Sequence, residues 1–165
     1  MSQPAGGREL AAKIVYVLGE REQTVAVAES LTGGLLGAAI TDIPGASVVF
    51  RGGIIAYATE LKAALLGVPA GLLATYGPVH PDVAAAMAAG ARDRLGATFG
   101  VATTGVAGPD PADGKPPGTV HIAVSAGMTP VTRKLGLQGG RDTVRRDTVE
   151  QALGLLWSVL WEEGP

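Results

Sequence analysis

The sequence predicts an α/β protein, a three-layer α/β/α sandwich around a mixed, mostly parallel sheet, in a single domain covering residues 1–165. Three observations carry this expectation. Through the first half of the chain, helical periodicity alternates with short β-rich runs, the pattern of strand–helix–strand units and hence of parallel pairing. Further on, two β-rich runs flank Gly127–Pro130 as a hairpin, which adds antiparallel strands. Two apolar runs, VAVA and FGVAT, each give way to a polar glycine turn, as strands do at the carboxyl edge of an open α/β sheet.

Residues 1–7 are small and polar enough to be a frayed terminus, and Glu9 to Arg21 carries Leu10, Ile14, Val17 and Leu18 at helical spacing. Thr24 to Ala28 reads as a buried strand, and Gly34 to Thr41 as a helix leaving the first glycine turn. After Pro44 and Gly45, the run Val48 to Tyr57 is β-rich, but Arg51, Gly52 and Gly53 predict a bulge or a break into two short strands. A short helix begins near Thr59 and another spans Pro69 to Tyr76. Pro81 to Leu95 is an alanine-rich helix with proline in its first turn. Phe99 to Thr103 is the next strand, followed by a long loop whose prolines and glycines oppose regular structure. Thr119 to Ser125 and Val131 to Leu137 form the hairpin, and Arg141 to Trp161 closes the chain as a long helix.

Composition narrows the function. Hydrophobic residues make up 47% and charged residues 17%, with much of the apolar content in alanine and valine, so the core is built on small side chains. A formal net charge of -2 without a basic run leaves no electrostatic footprint for nucleic acid. There is no cysteine, which removes disulfides, thiolate metal sites and cysteine nucleophiles. No apolar segment reads as a signal peptide or membrane span, so a cytoplasmic protein is expected.

Two strand-to-loop transitions offer hydroxyls, backbone N–H groups and glycines: Glu29-Ser30-Leu31-Thr32-Gly33-Gly34, and Thr103-Thr104-Gly105-Val106-Ala107-Gly108-Pro109. Either turn alone could be a helix cap; two together favour an anion or ribose cradle. Neither matches a P-loop or a dinucleotide fingerprint, which counts against a phosphotransferase. Lys62 falls in the first turn of its expected helix if Thr59 caps it, where the macrodipole disfavours a cation. It could hold an anionic group, or, with its pKa lowered, act as a general base toward a serine. A solvated surface lysine is the better reading for Lys62 alone; Tyr57 and Ser47 nearby in the chain make the functional reading competitive. His80 reads as structural, and His121 has no partner at a metal-ligand spacing. Trp157 and Trp161 read as packing residues, while Arg141, Arg145 and Arg146 at a helix start hint at an anion.

The segments AESLTGG, PGAS, GGIIAYATELK, TTGVAGPD, KPPGTV and GGRDTVRRDTVEQAL occur in order, and over nearly the whole chain they resemble the CinA C-terminal-domain family, the nicotinamide-nucleotide amidohydrolases. That resemblance implies hydrolysis of the carboxamide of nicotinamide mononucleotide to nicotinate mononucleotide and ammonia, a step of pyridine-nucleotide metabolism. It implies neither metal nor other cofactor, and a homodimer. It also implies serine and lysine chemistry on Ser47 and Lys62 with Tyr57 beside them, and a nucleotide site lined by Glu29, Ser30, Thr32, Gly33, Gly34, Thr104, Gly105, Gly108 and Arg141. Ser47 is favoured as nucleophile because it lies near Tyr57 and Lys62 in the chain, with Ser30 as the challenger. The sequence departs from the family's pattern at Leu31, often cysteine, at His80, usually serine, and at Gly140, often polar. A non-catalytic nucleotide-binding or regulatory module is the alternative, because fold does not fix function.

Overall fold

The computed structural model describes residues 5–162. In chain order it contains α1 (Ala5–Glu20), β1 (Val25–Glu29), α2 (Leu35–Thr41), β2 (Phe50–Ile55), α3 (Thr59–Leu66), α4 (Ala70–Tyr76), α5 (Pro81–Leu95), β3 (Phe99–Gly105), β4 (Thr119–Ser125), β5 (Val131–Gly136) and α6 (Arg141–Glu162), with a 3₁₀ turn at Ala46–Val48. The strands form one sheet in the order β2-β1-β3-β4-β5. Strand β1 pairs parallel with both β2 and β3, whereas β3, β4 and β5 pair antiparallel. The expected α/β sandwich with a mixed sheet is what the chain forms.

The two faces of the sheet differ in the size of their side chains. Strand residues alternate direction, so in β1, β3 and β4 one face receives Val25, Val27, Phe99, Val101, Val120, Ile122 and Val124, which pack in one cluster with apolar residues of α1, α2 and α6. The other face receives Ala26, Ala28, Ala102 and Ala123, which pack with Val83, Ala84, Met87, Ala88 and Ala91 of α5 and with Leu66. Small residues on both partners let α5 lie close against the sheet. A Cβ added at Gly100 would overlap the backbone carbonyl of Ala88, so the sequence FGVAT needs its glycine at that register position.

Three expectations are corrected. Helix α1 begins at Ala5, so residues 5–7 are helical rather than frayed, while residues 1–4 lie outside the described residues. The stretch around Gly52 and Gly53 stays one strand: the register slips once, between Val25 and Ala26 opposite Phe50 and Gly52, which is a bulge without a break. Ala58, not Thr59, is the N-cap of α3, with no side-chain cap bond, and Thr59 is its first helical residue. Lys62 is therefore one position deeper than expected, and burial rather than the helix dipole governs it.

No helix among the described residues is long and apolar enough to cross a membrane.

Candidate active site

Parallel pairing of β1 with β2 brings the end of one strand beside the end of the other. The amide of Ala56 donates to the carbonyl of Glu29 (2.9 Å) and that of Ser30 to the carbonyl of Thr103 (3.1 Å), so Ser30 sits between the chain leaving β2 and the chain leaving β3. Helix α3 then folds back and delivers Lys62 from the next turn. Its Nζ lies 2.9 Å from Ser30 Oγ, 2.7 Å from the carbonyl oxygen of Ala56 and 3.2 Å from that of Tyr57. Lys62 is 1% exposed and Ser30 7%. Burial pushes the Lys62 ammonium down to about 8, against a smaller opposing effect of Glu60. At neutral pH about a tenth of such a lysine is uncharged.

The three acceptors around Nζ have a chemical consequence. In the neutral amine, the two N–H bonds can serve the Ala56 and Tyr57 carbonyls, and the lone pair is left facing Ser30 Oγ. A buried serine hydroxyl aimed at an oriented lone pair is the arrangement of an activated nucleophile.

Above this pair opens a cavity of about 190 Å³, whose wall includes Ser30, Leu31, Tyr57, Lys62, Thr104, Gly105, Gly108 and Arg141. Thr104 is fixed by donating its hydroxyl to the Pro78 carbonyl (2.8 Å), which ties β3 to the loop before α5. Arg141, the first residue of α6, donates Nη1 to the Gly108 carbonyl at 2.6 Å, and its Nη2 lies 3.4 Å from the Tyr57 hydroxyl. The backbone N–H groups of Leu31, Ala107 and Gly108 have no acceptor among the described residues.

The structure does not bring Ser47 to this place. Ser47 lies in the 3₁₀ turn before β2, exposed, on a separate surface depression with Thr41, Ile43 and Phe50. Strand β2 runs from Phe50, opposite Val25, to Ile55, opposite Glu29, so the whole length of the strand separates Ser47 from Tyr57 and Lys62. At roughly 3.3 Å per residue in a parallel sheet that is some 16 Å. Nearness in sequence misled, whereas the direction of the strands held the answer: in a parallel pair, a residue before β2 and a residue after β1 lie at opposite edges.

Four residues expected to touch ligand prove to build the turn instead. Glu29 is 1% exposed, and its carboxylate accepts the amides of Gly34 (3.2 Å), Leu36 (2.8 Å) and Gly37 (3.0 Å), so it caps α2 from within. Thr32 is fully buried and shares a 2.8 Å hydrogen bond with the Thr103 hydroxyl. Gly33 and Gly34 both take positive φ, 57° and 108°, which turns the chain between β1 and α2 without reaching the cavity wall. Two of the arginines at the start of α6, Arg141 and Arg145, donate to carbonyls, whereas Arg146 lies 3.7 Å from the Asp142 carboxylate one turn earlier: Arg145 donates Nε to the Leu31 carbonyl (2.9 Å) and Nη2 to that of Thr32 (3.4 Å). Arg145 thus pins the turn that carries Ser30, a role the sequence pattern did not reveal. His80 caps α5, accepting the Asp82 amide on Nδ1 at 3.2 Å. Pro78, Val79, Asp110, Ala112 and Asp113 also line the cavity and were not foreseen.

Residues 7–160 match the family model described as the CinA C-terminal domain. The chain belongs to the CinA C-terminal domain family. Among its relatives, a CinA-like protein of Frankia casuarinae is 54% identical over 147 residues, covering 89% of this chain and 34% of the relative. A CinA-like protein of a Synechococcus strain is 51% identical over 150 residues, covering 89% of this chain and 36% of the relative. The chain therefore spans about a third of the length of these curated relatives. The crystal structure of the competence/damage inducible protein CihA from Agrobacterium tumefaciens superposes with a TM-score of 0.92 at 37% identity, covering 96% of this chain and 99% of that one. A CinA superfamily protein from Escherichia coli superposes with a TM-score of 0.90 at 28% identity, covering 96% and 94%. The CinA fold is thus established for this domain over nearly its whole length.

Proposed function

We propose that this CinA domain hydrolyses the carboxamide of nicotinamide mononucleotide to nicotinate mononucleotide and ammonia, with Ser30 as nucleophile and Lys62 as its general base. The observation that carries the reading is the buried Lys62 Nζ, 2.9 Å from Ser30 Oγ with its other two directions held by backbone carbonyls. Ser30 Oγ attacks the carboxamide carbon while its proton passes to the neutral Lys62 amine. The N–H groups of Leu31, Ala107 and Gly108 are the available donors for the developing oxyanion. As the C–N bond breaks, Lys62 returns that proton to the leaving nitrogen, which departs as ammonia and leaves an ester on Ser30. Lys62, neutral again, takes a proton from water, whose oxygen attacks the ester carbon. Cleavage of the C–O bond gives the acid, and Ser30 Oγ recovers its proton from Lys62. Tyr57 and Arg141 form the mouth of the cavity, where they position the nucleotide.

The test is ammonia release from nicotinamide mononucleotide. Ser30→Ala and Lys62→Ala are each expected to lose at least about a thousandfold in kcat/KM, in the range expected when one member of a nucleophile–base pair is removed, and Ser47→Ala to stay within about twofold of the parent. A dead Ser47→Ala beside an active Ser30→Ala would reverse the two serines.

A further inference from the structure

The turn that carries Ser30 is tied down before Arg145 reaches it. The Ser30 amide donates to the Thr103 carbonyl (3.1 Å), the Gly33 amide to the Ser30 carbonyl (3.0 Å) and the Leu35 amide to the Thr32 carbonyl (3.0 Å), and the Thr32 and Thr103 hydroxyls share a bond of 2.8 Å. Arg145 then adds a charged donor from α6 to two carbonyls of the turn, Nε on Leu31 (2.9 Å) and Nη2 on Thr32 (3.4 Å), while standing outside the cavity wall. The order of these bonds gives its charge a direction. The Thr32 carbonyl shares a peptide with the Gly33 amide, which donates to the Ser30 carbonyl, and the Ser30 carbonyl shares a peptide with the Leu31 amide. Both peptides are trans, so each N–H points opposite to its C=O, and drawing electrons from the carbonyl makes that N–H a stronger donor. The chain of bonds ends at the Leu31 N–H. This amide follows the nucleophile directly, belongs to a residue that lines the cavity, and has no acceptor among the described residues.

We propose that Arg145 is a positioning residue for the Ser30 reaction: acting through the Thr32–Gly33 and Ser30–Leu31 peptides, its guanidinium fixes and polarises the Leu31 N–H as a donor to the oxyanion. This rests on the amidohydrolase reading and adds to it a residue beyond the cavity wall. The bond to the Leu31 carbonyl holds the far side of the same residue, so the amide is fixed from both directions. A stronger donor matters most when negative charge develops on the carboxamide oxygen, so the loss of Arg145 falls on kcat rather than on substrate binding. Serving two carbonyls at once takes the planar fork of a guanidinium; a lysine keeps the charge but not the fork.

The experiment compares the parent with Arg145→Met and Arg145→Lys in ammonia release from nicotinamide mononucleotide, over the pH range in which Lys62 titrates. Removing a direct oxyanion donor costs roughly a hundredfold or more in kcat, and loosening one through two peptides should cost less: about thirtyfold in Arg145→Met and about tenfold in Arg145→Lys. KM should stay within about twofold of the parent. The plateau of the pH profile should fall while its midpoint, set by Lys62 at about 8, stays in place. A turn that had merely come loose would behave differently, because Ser30 would leave Lys62, water would reach the amine, and the midpoint would rise toward the ordinary lysine value. A kcat of Arg145→Met within about threefold of the parent, a loss carried by KM, or a raised midpoint overturns the proposal. Full activity of Arg145→Lys does so too, since it leaves the fork without a role. If Arg145→Met does not fold, as urea titration would show, Arg145→Lys is read by the same three criteria; failure of both to fold makes Arg145 a structural tie and overturns the proposal as well. The parent's own activity separates the two readings. No ammonia from the parent takes down the amidohydrolase reading and this one with it, whereas release that is abolished in Ser30→Ala but indifferent to Arg145→Met removes only the role of Arg145.

Discussion

Lys62 joins burial, basicity and geometry in a single side chain. Its amine is useful to Ser30 only when uncharged, so kcat/KM is expected to rise with pH, with a slope of one on a logarithmic scale, and to level off above its pKa of about 8. Activity at pH 6 should then be about a hundredfold below the plateau. A pH-independent rate between 6 and 9 would contradict the role of Lys62 as base. The same shift appears in stability. The folded-state pKa lies below the ordinary value of 10.5, so between about 8 and 10.5 the unfolded chain binds more protons than the native one. The contribution of Lys62 to stability is fully present above 10.5 and is lost as pH falls through about 8. Denaturant titrations across that window should show the parent gaining stability with pH more steeply than Lys62→Ala. Ser47, exposed and beyond the opposite end of β2, has no part in either effect.

At the scale of elements, the turn between β1 and α2 is built from one carboxylate and one guanidinium. Helix α2 has seven residues, too short to be stable on its own, and its N-cap Gly34 offers no side chain. Glu29 substitutes for a cap by taking three amides from the last residue of β1, while Arg145 holds the carbonyls of Leu31 and Thr32 from α6. Glu29→Ala leaves those amides without their acceptor in a buried place and is expected to lower stability by about 2–4 kcal/mol, the range for losing charge-assisted hydrogen bonds with partners left unpaired. Urea denaturation measures this; a loss under about 0.5 kcal/mol, the size of an ordinary surface substitution, would mean that water replaces the carboxylate at the helix start.

For the whole molecule, the cavity opens where five chain segments meet: the end of β1, the end of β3 with its following loop, the chain from β2 into α3, the chain before α5, and the first turn of α6. The cation Arg141 and the amides of the Ala107–Gly108 turn, which have no acceptor among the described residues, line the same cavity. A 5′-phosphate should gain charge-assisted hydrogen bonds there that a nucleoside cannot make. Nicotinamide mononucleotide is therefore expected to exceed nicotinamide riboside in kcat/KM by at least about tenfold, which corresponds to roughly 1.4 kcal/mol. Arg141→Ala should narrow the gap by more than Lys62→Ala does, as steady-state kinetics on both substrates would measure. Equal efficiencies for nucleotide and nucleoside would remove the phosphate from the account of this cavity. A gap kept intact in Arg141→Ala would assign the phosphate to the backbone amides.

The alternation of helix and strand, the hairpin around Gly127–Pro130, the extent of α5 and the two glycine turns were legible in the sequence, because each is fixed by local periodicity and by the backbone freedom of glycine and proline. Even the unequal faces of the sheet are written in VAVAE, where valine and alanine alternate with the period of the pleat. Lys62, Tyr57, Ser30 and the Thr104–Gly108 loop could be named as candidates for the same local reasons. The pairing of Lys62 with Ser30 was decided only by the tertiary structure: parallel strands bring residues 32 positions apart within 2.9 Å and carry Ser47, closer in the chain, to the far edge. Burial, too, belongs to the fold as a whole. The sequence could offer a carboxylate at Glu29 and a lysine at Lys62, but only packing decided that the carboxylate caps a helix while the lysine loses water and with it part of its charge.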